Sequence, residues 1–167
     1  MCNATKWFIF IVTINCLRCI FNDKKPFFAS MLTTISHHDY GLPTNVPFVR
    51  IPAAASNDRY NRYLNTVMYA DSFIGEVVKG LEERGLLDDT IITVVGDHGQ
   101  AFFEHGRKGH NDVIWEEGIR VPLIISNPKL FAEKKLVTGL RRQVDIAPTL
   151  MDLAGVTVGK GWHEGQD

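Results

Sequence analysis

Asp88–Gly99 reads DDTIITVVGDHG. Two aspartates make a turn, Thr90–Val95 follow as an unbroken, mostly β-branched apolar run, and Gly96 lets the chain bend. A short run of this kind, without polar alternation, reads as a central strand covered on both faces, as in a parallel sheet. The chain leaves that strand through a carboxylate, Asp97, an imidazole, His98, and Gly99. In open α/β sheets ligands bind beyond the carboxyl ends of the strands. The same stretch therefore sets the fold and the place to look for a site.

Working upstream, Ser56, Asn57 and Asp58 offer an N-cap, and Tyr60, Tyr63, Leu64, Val67, Met68, Ile74, Val77, Val78 and Leu81 recur at helical spacing. Gly85 supplies the left-handed stop. Asp71 falls among these apolar positions, which makes it a structural tie in need of hydrogen-bond partners. Gly41–Ala55, with three prolines, is an irregular connection. Before it, Pro26–Ser36 (PFFASMLTTIS) favours a buried strand that delivers His37, His38 and Asp39 at its carboxyl end.

Downstream of the opening stretch lie VIWEEGIR, a strand over Val121–Pro128, and RRQVDIAPTLMDLAGV. The last gives a helix starting near Val144 and stopping at Gly155, with Pro148 in its first turn. Strand, helix, strand, strand, helix implies an α/β fold: a largely parallel sheet flanked by helices.

Composition sets outer bounds. The chain has 167 residues, 45% of them hydrophobic, enough for one domain with a real core. Eighteen basic and nineteen acidic residues leave no broad field to recruit nucleic acid, so attraction for an anion must be local. Cys2, Cys16 and Cys19 define neither a zinc set nor a disulfide framework. Trp7–Phe21 is apolar but interrupted by Asn15 and Arg18, and it falls short of the ~20 residues of a spanning helix. A poor signal peptide, a buried strand and an incorrect gene start all stay open for it. Residues 1–25 are therefore set apart from 26–167.

Two predicted strands thus carry polar clusters at their carboxyl ends: His37, His38 and Asp39 after the first, Asp97 and His98 after the central one. An adjacent carboxylate and imidazole at a strand end can turn toward one divalent ion. The same residues also suit a turn-capping aspartate and a satisfied loop histidine, and spacing alone leaves both readings open.

LNTVMYADSFIGEVVKGLEERGLLDDTIITVVGDHGQAFFEHGRKGH, with WEEGIRVPLIISNP and RQVDIAPTLMDLAGV, resembles the second half of the catalytic domain of the sulfatase family, in the alkaline phosphatase superfamily. The likeness runs from about Pro26 to Val156, with the motifs in family order. It implies an alkaline-phosphatase-like α/β domain, incomplete and confined to 26–167, that hydrolyses sulfuric esters with a divalent metal. Carried over residue by residue, the metal pair of DHG falls on Asp97 and His98. The histidine that contacts the ester falls on His37, with His38 as its close alternative. The family lysine that holds an ester oxygen falls on His110 and not on Lys108 unless a small gap is allowed, and phosphoethanolamine transferases of the superfamily place a histidine there.

The resemblance thus implies His37 and His110 as catalytic groups, either able to protonate the leaving alcohol, and His38 and Lys108 as substrate-binding groups. Glu104 and His105 would orient the loop and the metal histidine, while Glu116, Glu117 and Arg120 would form an internal ion-pair network. Calcium is the ion favoured, with zinc or manganese for a phosphoryl-transfer member. The partner is a small-molecule, glycan or lipid sulfate or phosphate ester, and the family is secreted, lysosomal or membrane-associated.

The family nucleophile, from C-x-P-x-R or a serine or threonine, does not match here, since Cys2 opens CNATK without the proline or arginine. The expectation is a fragment lacking the first half of the domain, with little activity alone. A phosphodiesterase or phosphoethanolamine-type transferase, and a non-catalytic remnant, are the alternatives.

Overall fold

A four-stranded sheet organises the chain. Its strands are β1 (Trp7–Phe10), β2 (Phe28–Ser30), β3 (Thr90–Val95) and β6 (Leu123–Ser126), in the order β2-β1-β3-β6. Between β3 and β6 come two short strands, β4 (Ala101–Phe102) and β5 (Lys108–Gly109), which pair as a hairpin. Helix α1 (Asp58–Glu82) precedes β3, α2 (Glu116–Ile119) precedes β6, and α3 (Ile146–Leu153) follows it. This computed structural model describes residues 7–10, 27–54, 57–156 and 159. The chain divides into two units, Met1–Phe131 and Ala132–Asp167, and the sheet, α1 and α2 belong to the first.

β3 is central, as its sequence implies: Thr90–Thr93 are all buried, with β1 parallel on one side and β6 antiparallel on the other. The parallel set β2-β1-β3 brings three carboxyl ends to one edge of the sheet. β6 is the antiparallel member of this largely parallel sheet, and the strand is shorter than Val121–Pro128. An antiparallel edge strand on a parallel sheet is a common compromise. With Leu123 and Ile124 exposed, β6 is also not the buried core strand its composition suggests. Asn127, buried at its end, donates to the Asp88 and Thr90 carbonyls (3.0 and 2.8 Å) and ties β6 to the start of β3.

The strand expected over Pro26–Ser36 is confined to Phe28–Ser30, because its ladder with β1 ends at the pair Phe10↔Ser30. Of the apolar segment Trp7–Phe21, Trp7–Phe10 forms β1, and the rest lies outside the described residues.

Helix α1 matches its expected limits. Asn57 caps it by accepting from the Tyr60 N–H (3.0 Å). It ends where Gly85, at φ +64°, donates to Glu82 O and Leu86 donates to Leu81 O, the bond pair of a Schellman stop. Its buried face differs from the apolar stripe. Val77 and Leu81 pack with Ala29, Met31 and Ile92 to form the core, but Val67 and Met68 are exposed while Asn61 and Asn65 are buried.

The reason is the irregular connection before α1, whose backbone has no strand partner to satisfy it. Asn65 Oδ1 accepts from the Val49 N–H and Asn61 Oδ1 from the Ile51 N–H, both at 2.8 Å, while Asn65 Nδ2 donates to Val49 O at 2.8 Å. Buried amides one helical turn apart thus replace apolar contact with a hydrogen-bonded seam. Asp71 is exposed, so it is not the buried tie its position suggested.

In the second unit a short 3-10 turn over Gln143–Asp145 leads into α3, with Pro148 buried near its start and Gly155 at φ +69° at its end. Start, stop and proline position agree with the sequence reading.

Candidate active site

Beyond Val95 the chain leaves the sheet through Gly96, Asp97, His98 and Gly99, and the last glycine fixes the exit. Its N–H donates to Gly118 O at 2.9 Å, and a Cβ at Gly99 would overlap the Glu117 carbonyl oxygen. Gly118 is equally confined, against Val113. Gly99 therefore lets α2 close directly onto the exit from β3, while Gly118 lets α2 fold back against Val113, and a side chain larger than hydrogen at either position would push the backbone apart.

Held this way, Asp97 and His98 face each other. Asp97 Oδ1 accepts from the His98 N–H (2.9 Å), and Asp97 Oδ2 lies 3.6 Å from His98 Nε2. The His98 Nδ1–H donates to Gly99 O at 2.8 Å. In the neutral ring this leaves the Nε2 lone pair on the Asp97 side, the arrangement by which a backbone carbonyl orients a metal-binding imidazole. The donor chemistry of the pair fits a divalent ion. Among the described residues no third His, Cys, Asp or Glu joins it to complete a ligand set.

The hairpin β4-β5 returns the chain to this point. Its register, Ala101↔Gly109 and Phe102↔Lys108, sets Gln100 opposite His110, and the His110 Nδ1–H donates to Gln100 Oε1 (3.1 Å). His110 consequently stacks on His98, with ring centroids 3.8 Å apart. Burial pushes the His110 imidazole below its ordinary value, His98, His37 and His38 add to that, and Asp97 opposes it. His37 and His38, 4.2 Å apart ring to ring, sit on the tight turn after β2 and within electrostatic reach of His110. The structure thus brings His37 and His38, on the turn beyond β2, and Asp97 and His98, at the exit from β3, within electrostatic reach of His110, at the end of the hairpin.

Other residues singled out in the sequence lie on the surrounding frame. The His105 Nδ1–H donates to Glu117 Oε1 at 2.7 Å, and its ring stacks on Trp115 at 4.8 Å, which pins the hairpin tip to α2. This hydrogen bond holds the Glu117 carboxyl below the usual carboxylate range. Glu104 accepts from the Phe102 N–H within the hairpin, and Glu116 pairs with Arg120 at 3.4 Å. Lys108 is exposed on β5.

Sequence reasoning missed two contributors. Gln100, which orients His110, is found only once the hairpin register is known. Tyr63 is pushed upward by burial first and then by Tyr40, Tyr60 and the Asp97 carboxylate, so the aromatic cluster at the start of α1 borders the site. In that cluster the Tyr40, Tyr60 and Tyr63 rings all lie within 6.1 Å of Phe102 in β4.

Comparison with known proteins follows these features. A family model described as Sulfatase matches residues 9–156. The chain is 41% identical over 96 residues to an N-acetylglucosamine-6-O-sulfatase of Bacteroides thetaiotaomicron, covering 58% of this chain and 17% of that protein. It is 28% identical over 151 residues to lipoteichoic acid synthase 1 of Bacillus subtilis, covering 86% of this chain and 23% of that protein. The chain therefore spans about a fifth of the length of these relatives. The crystal structure of the lipoteichoic acid synthase LtaP from Listeria monocytogenes superposes with a TM-score of 0.66 at 18% identity, covering 99% of this chain and 53% of that one, which shows a shared fold. That fold is the alkaline-phosphatase-like α/β sheet, and with the family match running from β1 past the end of α3, the chain belongs to the sulfatase family.

Proposed function

We propose that this chain carries the metal pair and the ester-facing histidines of a sulfuric ester hydrolase. The observation that supports it most is the gathering of Asp97, His98, His37 and His38 within electrostatic reach of His110, with His110 stacked on His98. Asp97 and His98 would hold the divalent ion, calcium in this reading, and a bound ion would polarise an ester oxygen as a Lewis acid. His37 and His110 flank the ester, with His38 and Lys108 contributing charge to its peripheral oxygens.

The chemistry asks little more of these groups. As the S–O bond to the alcohol breaks, the leaving oxygen gains negative charge and takes a proton from an imidazolium. His110 is held toward its neutral form before substrate arrives. An anionic ester beside it favours the protonated form, so substrate itself loads the acid. The Gln100 bond at Nδ1 leaves Nε2 to make that transfer. The nucleophile that attacks sulfur is a group the resemblance does not locate in these 167 residues. In this reading it is supplied by sequence outside them.

Assaying the product of the complete gene with 4-nitrophenyl sulfate and with bis(4-nitrophenyl) phosphate tests the proposal. Sulfate turnover that is abolished by chelator and by His98→Ala is expected, and turnover of the phosphodiester alone would overturn it. A second reading, phosphodiester hydrolysis or phosphoethanolamine-type transfer with zinc or manganese, is favoured by His110 standing where sulfatases have lysine, and by the likeness to lipoteichoic acid synthase 1.

A further inference from the structure

The turn that carries His37 and His38 has a second side. Asp39 and Tyr40 follow with φ of +75° and +46°, consecutive non-glycine residues in the left-handed region. Such conformations cost about 1–3 kcal/mol each and persist where surrounding structure demands them. Here the turn closes through the Tyr40 N–H donating to His37 O (3.2 Å), which sends the Tyr40 ring edge-on to Tyr63 at 5.6 Å. Asp39 and Tyr40 then face the first turns of α1 and, with Arg59 and Arg62, line a cleft of about 270 Å³. That is smaller than the ~300–1,000 Å³ of a pocket for a drug-sized ligand, so it suits one ionised group and its immediate neighbours.

Three features give the cleft its chemistry. Arg59 and Arg62, three residues apart on one helix face, outnumber the one carboxylate on its wall, and neither forms an ion pair among the described residues. The Arg59 guanidinium carbon lies 5.5 Å from the Tyr40 ring centroid, a cation–π contact that holds its charge beside the cleft. Tyr40 is only 4% exposed, yet its hydroxyl is buried with no hydrogen-bond partner among the described residues. A buried, unpaired donor costs about 1–3 kcal/mol, and an anionic oxygen in the cleft would satisfy it. Tyr63, in contact with Tyr40 and influenced by Asp97, joins the cleft to the ester site.

We propose that Arg59, Arg62 and the Tyr40 hydroxyl form a subsite for a second oxyanion, a sulfate or carboxylate, on a polyanionic substrate whose scissile ester lies at His37 and His110. The proposal rests on the ester-hydrolase reading above and deepens it by naming the substrate class, an ester that carries a further fixed negative charge nearby. The single turn His37–Tyr40 then serves both groups of one substrate, and its strained backbone sets the spacing between them.

NMR titration of the chain with N-acetylglucosamine 6-sulfate and with glucosamine N,6-disulfate tests this. The wild type is expected to bind the disulfate at least about tenfold more tightly, one further charge-assisted contact being worth roughly that factor. Arg59→Ala/Arg62→Ala is expected to abolish the preference and leave monosulfate affinity within about twofold. Tyr40→Phe, which keeps the ring, is expected to reduce the preference, and the exposed charge reversal Arg62→Glu to do so without disturbing packing. Lys134→Ala/Lys135→Ala, which removes equal charge elsewhere, is expected to leave it intact. Equal affinity of the wild type for both sugars, or a preference that survives in Arg62→Glu, overturns the subsite alone. Failure of the wild type to bind either sugar overturns the subsite together with the reading beneath it.

Discussion

Replacing Gly99 by alanine puts the largest local strain on the smallest chemical change. A Cβ built there overlaps the Glu117 carbonyl oxygen and lies 2.9 Å from the Glu117 and Gly118 carbonyl carbons. Carbon atoms in contact prefer about 3.5–4.0 Å, so the segment carrying α2 has to retreat by roughly 0.6–1 Å. Both sides are backbone, and no rotamer change relieves the overlap. The retreat stretches the bond from the Gly99 N–H to Gly118 O, now 2.9 Å, beyond hydrogen-bonding range.

Overpacking costs about 1–3 kcal/mol and the lost bond about 0.5–1.5 kcal/mol, giving about 2–4 kcal/mol in all. At a urea dependence of about 2 kcal/mol per molar, the unfolding midpoint followed by circular dichroism is expected to fall by about 1–2 M. Gly75→Ala is the control, since a Cβ in that part of α1 meets nothing within 4 Å. It is expected to raise stability by about 0.5–1 kcal/mol, as replacing a helix-interior glycine does. A Gly99→Ala midpoint within about 0.3 M of wild type, a shift too small for either cost, would refute the reasoning that this close approach fixes the exit from β3.

Other expectations follow from the frame around the site. Asn65→Ala removes three hydrogen bonds to Val49 and Asn61, and is expected to cost about 2–3 kcal/mol, read as a fall in Tm of about 5–10 °C. Asn65→Leu, which fills the space without serving the backbone, is expected not to rescue it. Glu117 is held below its ordinary value of 4.5 by the hydrogen bond from His105. A carboxylate lowered on folding stabilises fully above its unfolded pKa, and loses that contribution as pH falls through the folded value. The stability gap between wild type and Glu117→Gln is therefore expected to close as pH falls below 4.5. In His105→Phe the NMR titration of Glu117 is expected to return toward 4.5, and an unchanged titration there would contradict the assigned cause.

How much of this was readable beforehand varies with the kind of interaction. β3 announces itself because Thr90–Val95 needs nothing but burial, and its polar exit, Asp97 and His98, follows from chain direction alone. Helix α1 is legible in extent, from its cap and its glycine stop, but not in orientation. Its covered face is chosen partly by the unpaired backbone of Val49 and Ile51, which amides can serve and Val67 or Met68 cannot. The direction of β6 is likewise absent from its composition, since an apolar run pairs either way. His110 was legible as a residue type, through the family's spacing, but its stacking on His98 depends on two strand pairs too short to carry a periodic signal.

The β4-β5 hairpin bears on how such a site can diversify. Its two rungs, together with the tie from His105 to Glu117, hold the ribbon in place without help from the residue that emerges at position 110. That position is outside the apolar core, contacts a ring and an amide, and terminates the ribbon. It is a socket on a separately anchored arm. Substituting what occupies the socket changes the group presented to the His98 ring while the apolar core, which does not include position 110, keeps its packing.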